Sequence, residues 1–177
     1  MTERTLVLLR HAKSDWSQGV SDLSRPLGRR GRRQASQAGR WLADNLATVD
    51  LAVVSPARRA RSTWELASAS LGTVTPARLD DRVYAASVND LLAVVRGLPE
   101  ALETVVLVGH NPGLQELVAR LTGVDVPMPT SALAVVEVSG PWSGAGRSSA
   151  ALRAAGRPPA RSCGGPPATA APPEEDR

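Results

Sequence analysis

Four short apolar runs recur along the chain, and each predicts a buried β-strand. The runs are continuous rather than alternating, which is typical of a parallel sheet covered on both faces. Segments with helical spacing of apolar residues separate them. The predicted strands are Thr5–Leu9, Leu51–Val54, Thr104–Val108 and Leu133–Val138. Because strands alternate with helices, the pattern predicts a layered α/β fold with a mostly parallel central sheet.

Capping signals refine the predicted helices. The first helix lies within Gly28–Leu46, and the second begins near Ala57. Ser87, with an acidic residue three positions later, predicts a capping box at the start of the third. For the fourth helix, Asn111-Pro112 predicts an N-cap followed by proline at the first helical position, and Gly123 predicts its end.

The C-terminal stretch differs in composition from the rest of the chain. Residues 140–177 contain seven of the fourteen prolines and six of the fifteen glycines, mixed with alanine and arginine. Such a segment buries little apolar surface, so we expect a domain over residues 1–139 and a largely disordered tail over 140–177. The tail is either native or the product of a frameshift in GC-rich DNA. Trp142 is a candidate remnant of one further strand.

Composition excludes several classes of protein. The net charge of +4 is modest, and no dense basic stripe with interleaved aromatic residues appears, so we expect no nucleic-acid partner. The single cysteine, Cys163, excludes an internal disulfide and a cysteine-based metal site. No apolar stretch approaches the roughly 18 residues of a membrane span, and the N-terminal residues do not resemble a signal peptide. We therefore expect a soluble, cytoplasmic protein without membrane association.

Both histidines of the chain come directly after a predicted strand. His11 follows LVLLR, and His110 follows VVLVG. The carboxyl ends of parallel strands share one edge of a sheet, where open α/β folds bind their ligands. A third strand ends at the same edge, and Arg58, Arg59 and Arg61 follow it. The sequence therefore predicts a site containing two imidazoles and at least two guanidinium groups.

This set of groups is suited to an anion. Arginine offers a planar fork of donors for a phosphoryl group, and the N-terminus of the fourth helix adds free backbone N–H groups. A metal site is disfavoured because zinc and iron require further carboxylate or thiolate ligands, and a neighbouring cation such as Arg10 would oppose a metal ion.

Three motifs carry a resemblance to a known family. Arg10-His11, the S-P-x-x-R-A-x-x-T run over Ser55–Thr63, and V-G-H-N-P over Val108–Pro112 resemble the histidine phosphatase, or phosphoglycerate mutase-like, superfamily. Within it, RHAKSDW, the RPL of Arg25–Leu27 and VGHNPGL are most similar to the SixA-type phosphohistidine phosphatases. The resemblance spans about residues 4–139 and implies a three-layer α/β/α fold.

The resemblance also implies roles for individual residues. His11 would be the nucleophile and would form a phosphohistidine intermediate. Arg10 and Arg59 would clamp the phosphoryl oxygens, with Asn111 as a further phosphate-binding residue, and His110 would hydrogen-bond the same group. Arg59 fits the R-A-x-x-T pattern, whereas Arg58 and Arg61 are expected to be surface charges. No metal or other cofactor is implied.

Other positions are less firmly defined. The superfamily usually has glycine after the nucleophile, where this chain has Ala12, so the backbone must turn there without a left-handed residue. Asp81 aligns with the proton donor of the wider family, with Asp80 as the alternative. Three residues are candidates for the rim of the site: Lys13, Ser17 and Arg25.

The motif spacing also bears on the substrate. Only about twenty residues separate Arg59 from Asp81 and about thirty separate Asp81 from His110, which leaves little room for a lid. An open site predicts a phosphatase that acts on phosphohistidine displayed by another protein, such as a histidine phosphotransfer domain. The alternatives are a phosphatase for small phosphorylated molecules and a non-catalytic phosphate-binding module.

Overall fold

The computed structural model describes residues 2–158 and 161–162. The strands in this part of the chain are β1 (Glu3–Arg10), β2 (Leu51–Val54), β3 (Ala77–Leu79), β4 (Thr104–Gly109), β5 (Leu133–Ser139), β6 (Ala150–Gly156) and β7 (Arg161–Ser162). The helices are α1 (Arg29–Asn45), α2 (Arg58–Ser68), α3 (Val88–Arg96) and α4 (Gly113–Thr122). All four predicted strands are confirmed, each within two residues of its expected bounds.

The strands form one sheet in the order β3-β2-β4-β1-β5-β6-β7 among the described residues. The first four strands of this order are mutually parallel. β5 runs antiparallel to β1, although its continuous apolar sequence suggested a parallel strand. Its residues are nearly all buried because both faces of the sheet are covered, and this burial, rather than strand direction, accounts for the apolar run.

Alternate residues of each central strand enter two separate cores, one on either face of the sheet. Leu6 and Leu8 of β1 pack with the core that contains α3 and α4. Val7 and Leu9 pack with the core that contains residues of α1 and α2. The predicted α/β/α layering is therefore confirmed, and residues of β2 and β4 divide between the cores in the same way.

The capping predictions are mostly confirmed. Ser87 accepts a hydrogen bond from the backbone N–H of Asp90, whose carboxylate accepts one in return from the N–H of Ser87. Gly123 ends α4 with a φ of 74°, in the left-handed region that favours glycine. However, α4 begins at Gly113, one residue later than predicted. The side chain of Asn111 still accepts the N–H of Gln115, at 3.3 Å, but from outside the helix.

The predicted domain boundary after residue 139 is wrong. β6 pairs antiparallel with β5 and extends the sheet, and Trp142 is completely buried. The indole N–H of Trp142 donates to the carbonyl of Leu102 at 2.9 Å. Composition suggested disorder because small residues bury little surface, but the open edge of β5 offers backbone partners that do not depend on side-chain size. The rest of the predicted tail, residues 159–160 and 163–177, lies outside the described residues.

No helix in the described part of the chain combines the length and the apolar character that crossing a bilayer requires.

The burial of Trp142 predicts a large contribution to stability. Trp142→Ala should lower the free energy of unfolding by about 3–5 kcal/mol, measured by urea denaturation, because it empties a buried aromatic site. Trp16→Ala is the matched control: Trp16 is 71% exposed and contacts Arg25, so its loss should cost below about 1 kcal/mol. Equal losses in the two variants would contradict the assignment of residues 140–156 to the folded domain.

Candidate active site

A cavity of about 380 Å³ lies where β1 and β4 end and α2 begins. Seven of the residues expected from the sequence line it: Arg10, His11, Lys13, Arg25, Arg59, His110 and Asn111. The backbone explains their convergence. Arg10 pairs with Gly109 in the register of the two parallel strands, so the histidines that follow come side by side. Their ring centroids are 5.1 Å apart.

His11 is buried, and its hydrogen bonding identifies its tautomer. Its Nδ1 lies 2.8 Å from the carbonyl oxygen of Ala12, which can only accept, so Nδ1 carries the proton. The lone pair is therefore on Nε2. Burial, together with the nearby His110 and the cations Arg59 and Arg10, lowers the pKa of His11 to about 3. His11 is thus a neutral imidazole with a free nucleophilic nitrogen at neutral pH.

His110 has the opposite arrangement of its ring nitrogens. Its Nδ1 is 3.4 Å from Nη2 of Arg59, a group that can only donate, so Nδ1 is the acceptor. Its Nε2 then donates to Oγ of Ser55 at 2.7 Å. Burial and the charge of Arg59 lower the pKa of His110 to about 4. An anion bound between these groups would offset the charge of Arg59 and favour a proton on Nδ1.

The two arginines of the predicted clamp are held by backbone carbonyls. Arg10 donates to the carbonyl of Met128 at 3.0 Å, and Arg59 donates to the carbonyl of Asp22 at 2.6 Å. Arg59 is buried and lines the cavity, whereas Arg58 and Arg61 are exposed. The side-chain amide of Asn111 also donates to Met128, at 2.9 Å.

A buried threonine connects the backbone after His11 to Arg59. Oγ1 of Thr63 accepts the N–H of Ala12 at 3.0 Å and donates to the carbonyl of Arg59 at 2.7 Å. Among the described non-glycine residues, positive φ angles occur at Ala85 and Ser131, so the turn at Ala12 is made without a left-handed residue, as expected. The threonine of the R-A-x-x-T pattern therefore fixes the backbone after His11 relative to α2.

Sequence reasoning missed Asp22 and Tyr84, which both line the cavity. The Asp22 carboxylate accepts hydrogen bonds from Arg25, from Arg59 at 3.1 Å and from the hydroxyl of Tyr84 at 2.6 Å. These donors, that of Tyr84 foremost, hold the pKa of Asp22 well below its usual range. Asp22 lies on an isolated 3-10 turn in a polar loop, so no periodic pattern marks it; its position three residues before Arg25 was the one available signal.

Three other predicted positions lie outside this cavity. Asp81, the predicted proton donor, is exposed and is not among the lining residues. Its alternative, Asp80, is held by Arg82 and Arg78. The reason is local: Asp81 opens a 3-10 turn, and the chain reaches the cavity only after that turn, at Tyr84 and Ala85. Ser17 is exposed and bonds to the carboxylate of Asp15 instead of the rim.

Comparison with known proteins identifies the family. The model of the histidine phosphatase superfamily (branch 1) matches residues 6–86. A solved structure from Nakamurella multipartitia, proposed to be the phosphohistidine phosphatase SixA, is 31% identical and has a TM-score of 0.80; the match covers 89% of this chain and 98% of that one. The chain belongs to the histidine phosphatase superfamily. It is thus a phosphatase, and the resemblance drawn from its motifs is confirmed.

Two further relatives agree with this assignment. An uncharacterized protein of Mycobacterium tuberculosis is 36% identical over 146 residues, which cover 76% of this chain and 90% of the relative. The structure of the protein histidine phosphatase SixA complexed with tungstate has a TM-score of 0.75, covering 87% of this chain and 97% of the other. At 24% identity, that structure supports the fold alone.

The link through Thr63 predicts a matched pair of phosphatase variants. Thr63→Val keeps the shape of the side chain but leaves the buried N–H of Ala12 without its acceptor, so kcat/KM for para-nitrophenyl phosphate should fall roughly 10-fold or more. Thr63→Ser retains the hydroxyl and should stay within about threefold of the parent. A valine variant as active as the serine variant would show that this link does not position His11.

Proposed function

We propose that this phosphatase removes the phosphoryl group from phosphohistidine on another protein, through a covalent intermediate on His11. The observation that carries the proposal is the state of His11: its Nδ1–H is bound by the Ala12 carbonyl, and its neutral Nε2 is available in a cavity lined by three arginines. Pure phosphate binding does not require a nucleophile held in this form.

The proposed chemistry proceeds in two displacements. In the first, Nε2 of His11 attacks phosphorus, a P–N bond forms, and the bond from phosphorus to the leaving group breaks with its electron pair. In the second, water attacks phosphorus, and the electron pair of the P–Nε2 bond returns to His11. Arg10 and Arg59 balance the charge on the phosphoryl oxygens throughout, with Asn111 and His110, once protonated on Nδ1, as further donors.

Access to the cavity supports a protein-borne substrate. Between Arg59 and His110 the chain consists of the rest of α2, β3, a 3-10 turn, α3 and β4, with no inserted subdomain to cover the site. Lys13 and Trp16 at its rim are exposed. Such a rim admits a side chain presented by a folded partner protein. We propose that this partner is a histidine phosphotransfer-type domain.

The proposal predicts metal-independent activity that depends on His11. The purified enzyme should release phosphate from a phosphohistidine protein in the presence of EDTA, because guanidinium groups supply the positive charge. It should also carry an acid-labile phosphate on His11 after rapid quenching. His11→Ala should abolish both, since no other group in the proposal can accept the phosphoryl group.

Arg58→Ala provides a matched control, because it removes a neighbouring but exposed arginine and should retain parental activity within about twofold. Activity that survives in the His11→Ala variant, or parental activity confined to small phosphate esters, would overturn the proposal. Turnover of a sugar phosphate is measured in parallel for the parent and for His11→Ala. Activity of the parent on the sugar phosphate but not on the phosphohistidine protein would contradict the substrate, and activity of His11→Ala would contradict the mechanism.

A further inference from the structure

Asp22 is the sole carboxylate among the described residues that line the cavity, and it lies near the mouth. Its side chain is 47% exposed, whereas His11 at the floor is 8% exposed. In an in-line displacement the leaving group departs on the side of phosphorus opposite the nucleophile. Because His11 attacks from the floor, the leaving group of a bound substrate lies towards the mouth, where Asp22 stands.

The carboxylate of Asp22 retains capacity to accept one more hydrogen bond. A carboxylate has about four lone-pair sites. Oδ2 accepts from Arg59 and Tyr84, and Oδ1 accepts from Arg25. One acceptor site on Oδ1 therefore has no donor among the described residues. The same three donors fix the carboxylate in place and keep it ionised, so it can accept a proton-bearing group but does not act as an acid.

No carboxylic acid among the described lining residues can protonate a leaving group, because Asp22 is held ionised. Asp81 and Asp80 lie outside its lining, and Tyr84 gives its hydroxyl hydrogen to Asp22. An alkoxide leaving group needs a proton as its bond to phosphorus breaks, so it would depart slowly from this site. A phosphoimidazolium needs none: its distal ring nitrogen already carries a proton, and the electron pair of the breaking P–N bond returns to the other nitrogen.

We propose that Asp22 determines specificity by accepting the distal N–H of a protonated phosphohistidine, so that the leaving group departs as neutral imidazole. This inference rests on the proposed function. The step balances: His11 forms the new P–N bond, the old P–N bond breaks, and the leaving imidazole keeps the proton bound by Asp22. Asp22 thus favours phosphoramidates over phosphate esters.

The test compares two small substrates in the full-length enzyme. N-phosphoimidazole, when its distal ring nitrogen is protonated, presents the proposed N–H, whereas para-nitrophenyl phosphate has a leaving group that neither carries a proton nor requires one. In Asp22→Asn, the ratio of kcat/KM for phosphoimidazole to that for the aryl ester should fall roughly 10- to 100-fold, as expected for the loss of a charge-assisted hydrogen bond. Asp15 is a carboxylate on the same loop that does not line the cavity, so Asp15→Asn should leave the ratio unchanged.

Inhibition by inorganic phosphate distinguishes this role from support of Arg59. Removal of a negative charge beside an intact clamp should tighten phosphate binding in Asp22→Asn, whereas a displaced Arg59 would weaken it. Equal losses on both substrates with weaker phosphate binding would overturn the inference, as would an unchanged ratio. Failure of the parent enzyme on phosphoimidazole and on phosphohistidine protein would instead overturn the proposed function itself.

Discussion

The site depends on the parallel pairing of β1 with β4. The ladder continues beyond both strands, where the N–H of His11 donates to the carbonyl of Gly109 at 3.0 Å. On the other side of β4, the N–H of Ser55 donates to Val108, also at 3.0 Å. These backbone bonds bring the ends of three strands to the same level. His11, His110 and Ser55 therefore meet without any long-range side-chain contact having to assemble them.

Burial then determines the chemistry of the histidines. Each imidazole is surrounded by protein and by guanidinium groups, and both effects favour its neutral form. Three arginines, one lysine and one carboxylate line the described cavity, so the site carries excess positive charge. A phosphoryl dianion reduces that excess. The same field that keeps His11 neutral therefore also attracts the group that we propose His11 attacks.

Sequence patterns predicted the parts of the site that depend on backbone position. Arg10, His11 and His110 were predicted because each follows an apolar strand, and Arg59 because it fits the R-A-x-x-T motif. Asp22 was missed because it reaches the cavity from an irregular loop, where no periodicity relates position to direction. Asp81 was chosen by alignment with a motif, but it opens a 3-10 turn, and the chain reaches the cavity only after that turn, at Tyr84 and Ala85.

The C-terminal strand was missed for a different reason. Composition reports how much apolar surface a segment can bury by itself, and residues 140–156 are poor in this respect. Their order comes from the rest of the fold: the edge of β5 supplies hydrogen-bond partners, and Glu100 accepts the backbone N–H groups of Trp142 and Ser143. These hydrogen-bond partners are brought into position by the folded sheet, so the local composition of residues 140–156 does not reveal them.

The central claim is that His11 is a neutral nucleophile with its proton on Nδ1. Heteronuclear NMR of the two imidazoles tests it directly, in the full chain and over a pH titration. The account predicts that His11 stays neutral at about pH 5, where an ordinary histidine with a pKa near 6.5 is mostly charged. It also predicts an Nδ1-protonated tautomer for His11. An imidazolium signal for His11 at about pH 6, or a proton on Nε2, would contradict it.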